Sequence, residues 1–205
     1  AGLMVSPGFI DTHVHCDGVL LIDPQHASSL RQGVTTELLG QDGLSYAPLS
    51  AENYRIQRRY LSGILGLPPE NLDMSSVAAF RANYDRKVSI NTAYLVPNGT
   101  IRLEVVGFED VPLTGDAMDR AKGLVREGME QGAVGFSTGS SYYPGPWSST
   151  DELVELCEVV RDAGGVLMSE PRQKNPERAF GGGGVAEAIE IARRSGVKLH
   201  LAHFR

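Results

Sequence analysis

Cysteine is scarce. Cys16 and Cys157 are the only two thiols in 205 residues. Two are too few for a disulfide framework, so a reducing, cytoplasmic setting is the expectation. Long apolar runs are lacking too. No stretch approaches the roughly 20 residues needed to span a bilayer, and no secretory leader is read, so no membrane partner is expected. Basic charge is not in excess: the net charge is −6 and the lysines and arginines are scattered. That argues against a nucleic-acid face and favours a small-molecule substrate, with a homo-oligomer left open. Internal repeats are absent. So is a glycine-rich phosphate fingerprint after the first apolar run, which weakens a doubly wound nucleotide fold.

What remains is an ordinary globular composition, 41% hydrophobic and 21% charged, in a chain long enough to bury one real core. Strands are expected over 8–15, 34–40, 88–96, 133–137, 165–169 and 197–203. Helices are expected over 23–33, 51–65, 75–83, 117–131, 150–163 and 185–195, while 101–107 reads as either a short helix or an irregular segment. Strands alternating with helices of this length imply a parallel sheet. A partial (β/α)8 TIM-like barrel fits best, covering about strands 1 to 6. A full barrel takes roughly 250 residues, so residues 1–205 are expected to be one barrel domain truncated at both ends.

Barrel chemistry sits at the carboxyl ends of the strands. The first strand runs into His13-Val14-His15. Side chains at i and i+2 of a strand share a face, so His13 and His15 are expected to point together, with Asp11 beside them. Neutral imidazole is the commonest protein metal ligand. The later strand ends supply Asp42, Asn98, Ser137 with Thr138, Glu170, and finally His203 with Arg205. Three histidines and two carboxylates, His13, His15, His203, Asp42 and Glu170, are a donor set for Zn²⁺, with one or two ions and Mn²⁺ as the alternative.

Other residues read as structural. His26 is expected to be a surface or packing histidine, and His200 to face away from the site. Cys16 points away from His15 by strand parity and reads as a buried small hydrophobe. Cys157 falls mid-helix and reads as core. Trp147 and the Tyr142-Tyr143 pair either line a pocket or pack their own loop.

The run Val5-Ser6-Pro7-Gly8-Phe9-Ile10-Asp11-Thr12-His13-Val14-His15 resembles the first barrel strand of the amidohydrolase superfamily. Further stretches resemble one branch of it, the N-acyl-D-amino-acid deacylases or D-aminoacylases. They are Gly33-Val34-Thr35-Thr36 through Leu49, Asn98-Gly99-Thr100-Ile101-Arg102, Gly132 through Gly139 with Tyr143-Pro144-Gly145, and Leu199 through Arg205. The resemblance implies metal-dependent cleavage of an amide in an N-acyl-D-amino acid or similar acylated small molecule. It implies a basic residue at Arg205 that binds the substrate carboxylate, and substrate contacts from Asn98, Arg102 and Tyr143. It also places the general base on an eighth strand, which is not among these residues.

The departures are specific. The branch carries a metal-bridging Cys in a Gly-Asn-Cys-Gly context, and here that context reads Gly40-Gln41-Asp42-Gly43. A ligand His after the fifth strand is replaced by Glu170, and a His before the Gly-Thr-x-Arg stretch by Asn98. Carboxylate oxygen can ligate zinc and bridge two ions, but it hardens the site toward Mn²⁺ or Mg²⁺. Strand 4 has no lysine to bridge metals as in other amidohydrolases. The rival readings are a cyclic-amide hydrolase similar to dihydroorotase and a non-catalytic barrel that has lost its metals.

Overall fold

A computed structural model describes residues 2–203 of the chain. Six strands form one sheet: β1 (Phe9–Asp11), β2 (Val34–Leu39), β3 (Asn91–Pro97), β4 (Gly135–Thr138), β5 (Val166–Ser169) and β6 (Lys198–Leu201). All neighbours pair in parallel, and their spatial order follows the chain. A doubly wound sheet reverses its strand order at a switch point. This one never reverses, so it is six consecutive staves of a barrel, as expected.

Helices return the chain between strands. They are α1 (Val19–Ile22), α2 (Ala27–Leu30), α3 (Ala51–Tyr60), α4 (Ser62–Leu65), α5 (Val77–Ala82), α6 (Asn98–Val106), α7 (Asp116–Glu130), α8 (Thr150–Asp162) and α9 (Gly184–Ser195). Hydroxyls cap several of them. Ser50, Ser76 and Ser149 accept from the backbone N–H of Asn53, Ala79 and Glu152, satisfying donors that the first helical turn leaves unpaired. No helix among the described residues is long and apolar enough to cross a membrane.

Alternation along the strands divides the core. Leu39, Tyr94, Val96, Phe136 and Leu167 pack with Leu153, Leu156, Val160 and Ile191 of the helices. The intervening Leu38, Leu95, Val166 and Met168 form a second cluster with Ala202 on the other face. Both faces of the sheet are therefore apolar, as helix-covered parallel sheets require.

Several elements differ from expectation. The helix expected over 23–33 is two single turns, α1 and α2. Asp23 precedes proline, which disfavours helical backbone, and His26 holds a left-handed φ of 42° between the two turns. Residues 101–106 belong to a nine-residue helix that starts at Asn98, and Gly107 ends it. β1 stops at Asp11, whose carboxylate accepts the His13 N–H at 3.0 Å and bends the chain out of the strand.

Candidate metal centre

The candidate centre forms where the carboxyl ends of β1, β2 and β6 meet. After β2 the chain turns sharply through Gly40, Gln41, Asp42 and Gly43. Gly40 has a φ of 77°, and a Cβ there would stand 2.2 Å from the Leu95 carbonyl oxygen, so only glycine fits. The turn is pinned from below. Gln41 Nε2 donates to the carbonyls of Thr12 (3.0 Å) and Leu38 (2.8 Å), and Gly43 N–H donates to Ser137 Oγ at 3.0 Å. Asp42 is left buried, with a φ of 53°.

Three imidazoles converge on Asp42. His13 Nε2 and His15 Nε2 both lie 3.1 Å from Asp42 Oδ2, and His203 Nε2 lies 3.4 Å from the same oxygen. Only the His15 contact has hydrogen-bond geometry. The His13 ring stands edge-on to both neighbours, 5.3 Å from His15 and 4.2 Å from His203 between centroids. The two histidines of the His-x-His motif do point to one place, although neither lies within β1.

Electrostatics bind this group together. Burial alone would raise the Asp42 carboxyl, but the close contacts and charges of His13 and His15 outweigh it and hold it well below the usual carboxylate range. For His15 burial acts to lower the imidazole, and the Asp42 contact, with the charges of Asp17 and Glu170, raises it instead.

The donor set suits a divalent cation. Both ring nitrogens of His13, Nδ1 of His15 and Oδ1 of Asp42 are buried without a hydrogen-bond partner. One carboxylate oxygen ringed by three imidazole nitrogens is a poor hydrogen-bond arrangement, because a neutral imidazole offers one donor only. It suits nitrogen and oxygen donors that share one metal ion.

The remaining expected residues are placed as follows. Glu170 is buried and accepts from Ser141 Oγ at 3.0 and 3.2 Å. It lies outside the tight group of His13, Asp42 and His203 ligand atoms but close enough to act on His15. Asn98 is fully buried, donates to Ser148 Oγ at 2.9 Å and leaves its Oδ1 unpartnered. Tyr143 is half-buried on a loop, with its ring 4.7 Å from that of Trp147 and Lys174 Nζ 5.6 Å above it. Arg102, expected at the substrate, is fully buried. Its guanidinium bonds Glu152 Oε2 and the Val111 carbonyl, both at 2.6 Å, so it presents no surface to a ligand. Arg205 lies outside the described residues.

Two features escaped the sequence reading. His26 is neither a surface nor a purely packing residue: it is buried, with its Nε2 2.8 Å from Glu37 Oε1. Glu37 itself is fully buried in β2. The signal was a lone carboxylate in an otherwise β-branched and apolar strand.

A parallel barrel arc with histidines and a carboxylate gathered at the strand ends defines an amidohydrolase-type hydrolase barrel. Comparison with known proteins narrows the class. No family model matches. An N-acyl-D-aspartate deacylase from Alcaligenes xylosoxydans xylosoxydans is 31% identical over all of this chain and 40% of its own length. A D-aminoacylase from the same organism is 28% identical over all of this chain and 41% of its own length. Among solved structures, a D-aminoacylase with a binuclear metal centre superposes with a TM-score of 0.81 at 27% identity, covering 97% of this chain and 40% of that one. An N-acyl-D-glutamate deacylase from Bordetella bronchiseptica, complexed with zinc and a phosphonate inhibitor, gives 0.77 at 29% identity, over 94% of this chain and 39% of that one. The chain belongs to the amidohydrolases, in the branch of the N-acyl-D-amino-acid deacylases. It spans about 40% of the length of the curated relatives it matches.

Proposed function

We propose that this chain forms the metal-binding part of a hydrolase that cleaves the amide bond of N-acyl-D-amino acids or similar acylated small molecules. The observation that carries the reading is the convergence of His13, His15 and His203 on one oxygen of Asp42. In this reading those four residues hold Zn²⁺, with Mn²⁺ as the harder alternative that carboxylate ligands admit, and Glu170 completes the donor set from β5. The chemistry such an ion supplies is activation of water near neutral pH and polarisation of the scissile carbonyl. Asp42 neutralises charge at the centre and orients the imidazoles around it. Glu170, steadied by Ser141, adds a second negative charge facing His15.

Substrate recognition falls to the loops above. Arg205 follows His203 by two residues and is assigned as the clamp for the substrate carboxylate, for which guanidinium geometry is well suited. The unpartnered Asn98 Oδ1 and the Tyr143 ring are assigned to the acyl-amino-acid pocket. The two free cysteines fit a reducing, cytoplasmic setting.

The test is stereochemical. Full-length protein should release free amino acid from N-acetyl-D-amino acids and leave the L-enantiomers essentially untouched. Equal rates on both enantiomers, or hydrolysis of dihydroorotate in preference to either, would overturn the assignment.

A further inference from the structure

Cys16, His26 and Glu37 meet at a point that the proposed hydrolysis does not use. Glu37 shares strand parity with Leu39, so its side chain lies on the helix-covered side of β2. Each of its oxygens has one neighbour. Cys16 Sγ donates to Oε2 at 2.7 Å, and His26 Nε2 lies 2.8 Å from Oε1. The Ser29 hydroxyl is 2.9 Å from the same imidazole nitrogen. One ligand atom from each of Cys16, His26 and Glu37 lies within 4.8 Å of the other two, and all three residues are buried.

The charge balance is unusual. Glu37 is 0% exposed, and among the described residues its one basic partner is His26. Among the described residues no lysine or arginine is bonded to Glu37, and a buried carboxylate needs a compensating partner. His26 holds a left-handed φ of 42° between two single-turn helices, and its ring lies against Glu37.

We propose that Cys16, His26 and Glu37 form a second divalent-cation site, zinc by its donor types, on the helix-covered side of β2 and separate from the Asp42 cluster. A thiolate, a carboxylate and a neutral imidazole match zinc's mixed S/N/O preference and carry two negative charges against its two positive ones. Binding releases the Cys16 thiol proton to solvent and leaves the His26 proton on Nδ1, so that Nε2 ligates. The present hydrogen-bond separations then open by roughly an ångström or less, to suit bonds of about 2.3 Å to sulfur and 2.0–2.1 Å to nitrogen. Ser29 Oγ or a water takes the fourth position. The site ties the α1–α2 turn to β2, through a cysteine adjacent in sequence to His15.

Sulfur ligation makes the proposal testable without reference to activity, so it stands or falls independently of the deacylase reading. Full-length protein is loaded with Co²⁺ and its near-ultraviolet spectrum recorded. The Asp42 cluster holds no thiolate, so a thiolate-to-cobalt charge-transfer band reports on cysteine alone. The band should appear in the wild type and in Cys157→Ser, and should vanish in Cys16→Ser together with one equivalent of bound metal. His26→Ala keeps the thiolate and should show a shifted band that a chelator removes more readily than in the wild type. A wild-type protein with no such band, or a band that survives Cys16→Ser, would overturn the site and leave a hydrogen-bonded triad in its place.

Discussion

The Arg102 guanidinium bonds Glu152 and the Val111 carbonyl, and Glu152 also accepts the Leu113 N–H at 2.9 Å. This buried pair ties α6 to α8 and to the segment before α7. Burial raises the Glu152 carboxyl, and the Arg102 charge only partly offsets it. Removing one partner of such a pair leaves the other charge stranded, which costs about 3–5 kcal/mol. Arg102→Ala should therefore lower the unfolding free energy of the full-length protein by that amount, read from the fall in its urea midpoint at unchanged slope, and Arg102→Met with Glu152→Leu should recover most of it. An unchanged midpoint, with KM raised instead, would return Arg102 to the substrate. The sequence motif put Arg102 in the loop after strand 3, at the substrate. It could not reveal that α6 would continue through it and turn the guanidinium toward α8, because that partner lies 50 residues away.

The turn after β2 shows what short motifs can and cannot convey. The Gly40-Gln41-Asp42-Gly43 context marked Asp42 as the ligand-type residue after strand 2, but not the tight turn that presents it. The pinning by Gln41 and Ser137 was invisible, since both contacts depend on sheet register. The helix expected over 23–33 breaks where Asp23 precedes Pro24 and where His26 holds a left-handed φ; the first was in the sequence, the contact of His26 with Glu37 was not. Gly40→Ala tests the turn. The substitution forces a Cβ against the Leu95 carbonyl at a φ of 77°, and such strain costs on the order of 1–3 kcal/mol. Because Asp42 is two residues away, the variant should also lose metal affinity, measurable as earlier release to a chelator. Wild-type stability and affinity together would mean that the turn relaxes freely and does not position Asp42.

The whole molecule was the most legible level. Alternating strand and helix, with polar residues recurring at strand ends, is a pattern of sequence order, and a barrel keeps sequence order in space. Strand lengths were less legible, because β1 and β6 give way to irregular backbone before reaching His13, His15 and His203. The arc has two open edges, and Phe9 and Ile10 on β1 are 60% and 64% exposed. Unpaired apolar edges template association. Residues 1–205 expressed alone should aggregate at micromolar concentration, seen by light scattering. A monodisperse, cooperatively unfolding fragment would mean that the arc is self-sufficient.

The central claim is that Asp42 and its three histidines hold the ion on which hydrolysis depends. The direct measurement is N-acyl-D-amino-acid hydrolysis by chelator-treated full-length protein, before and after zinc or manganese is returned, in the wild type and in Asp42→Asn. The wild type should fall to background and recover. Folded Asp42→Asn should stay depressed by more than the roughly 10- to 100-fold contributed by residues that merely support a metal. Full activity in the metal-free wild type, or wild-type rates from Asp42→Asn, would contradict the account.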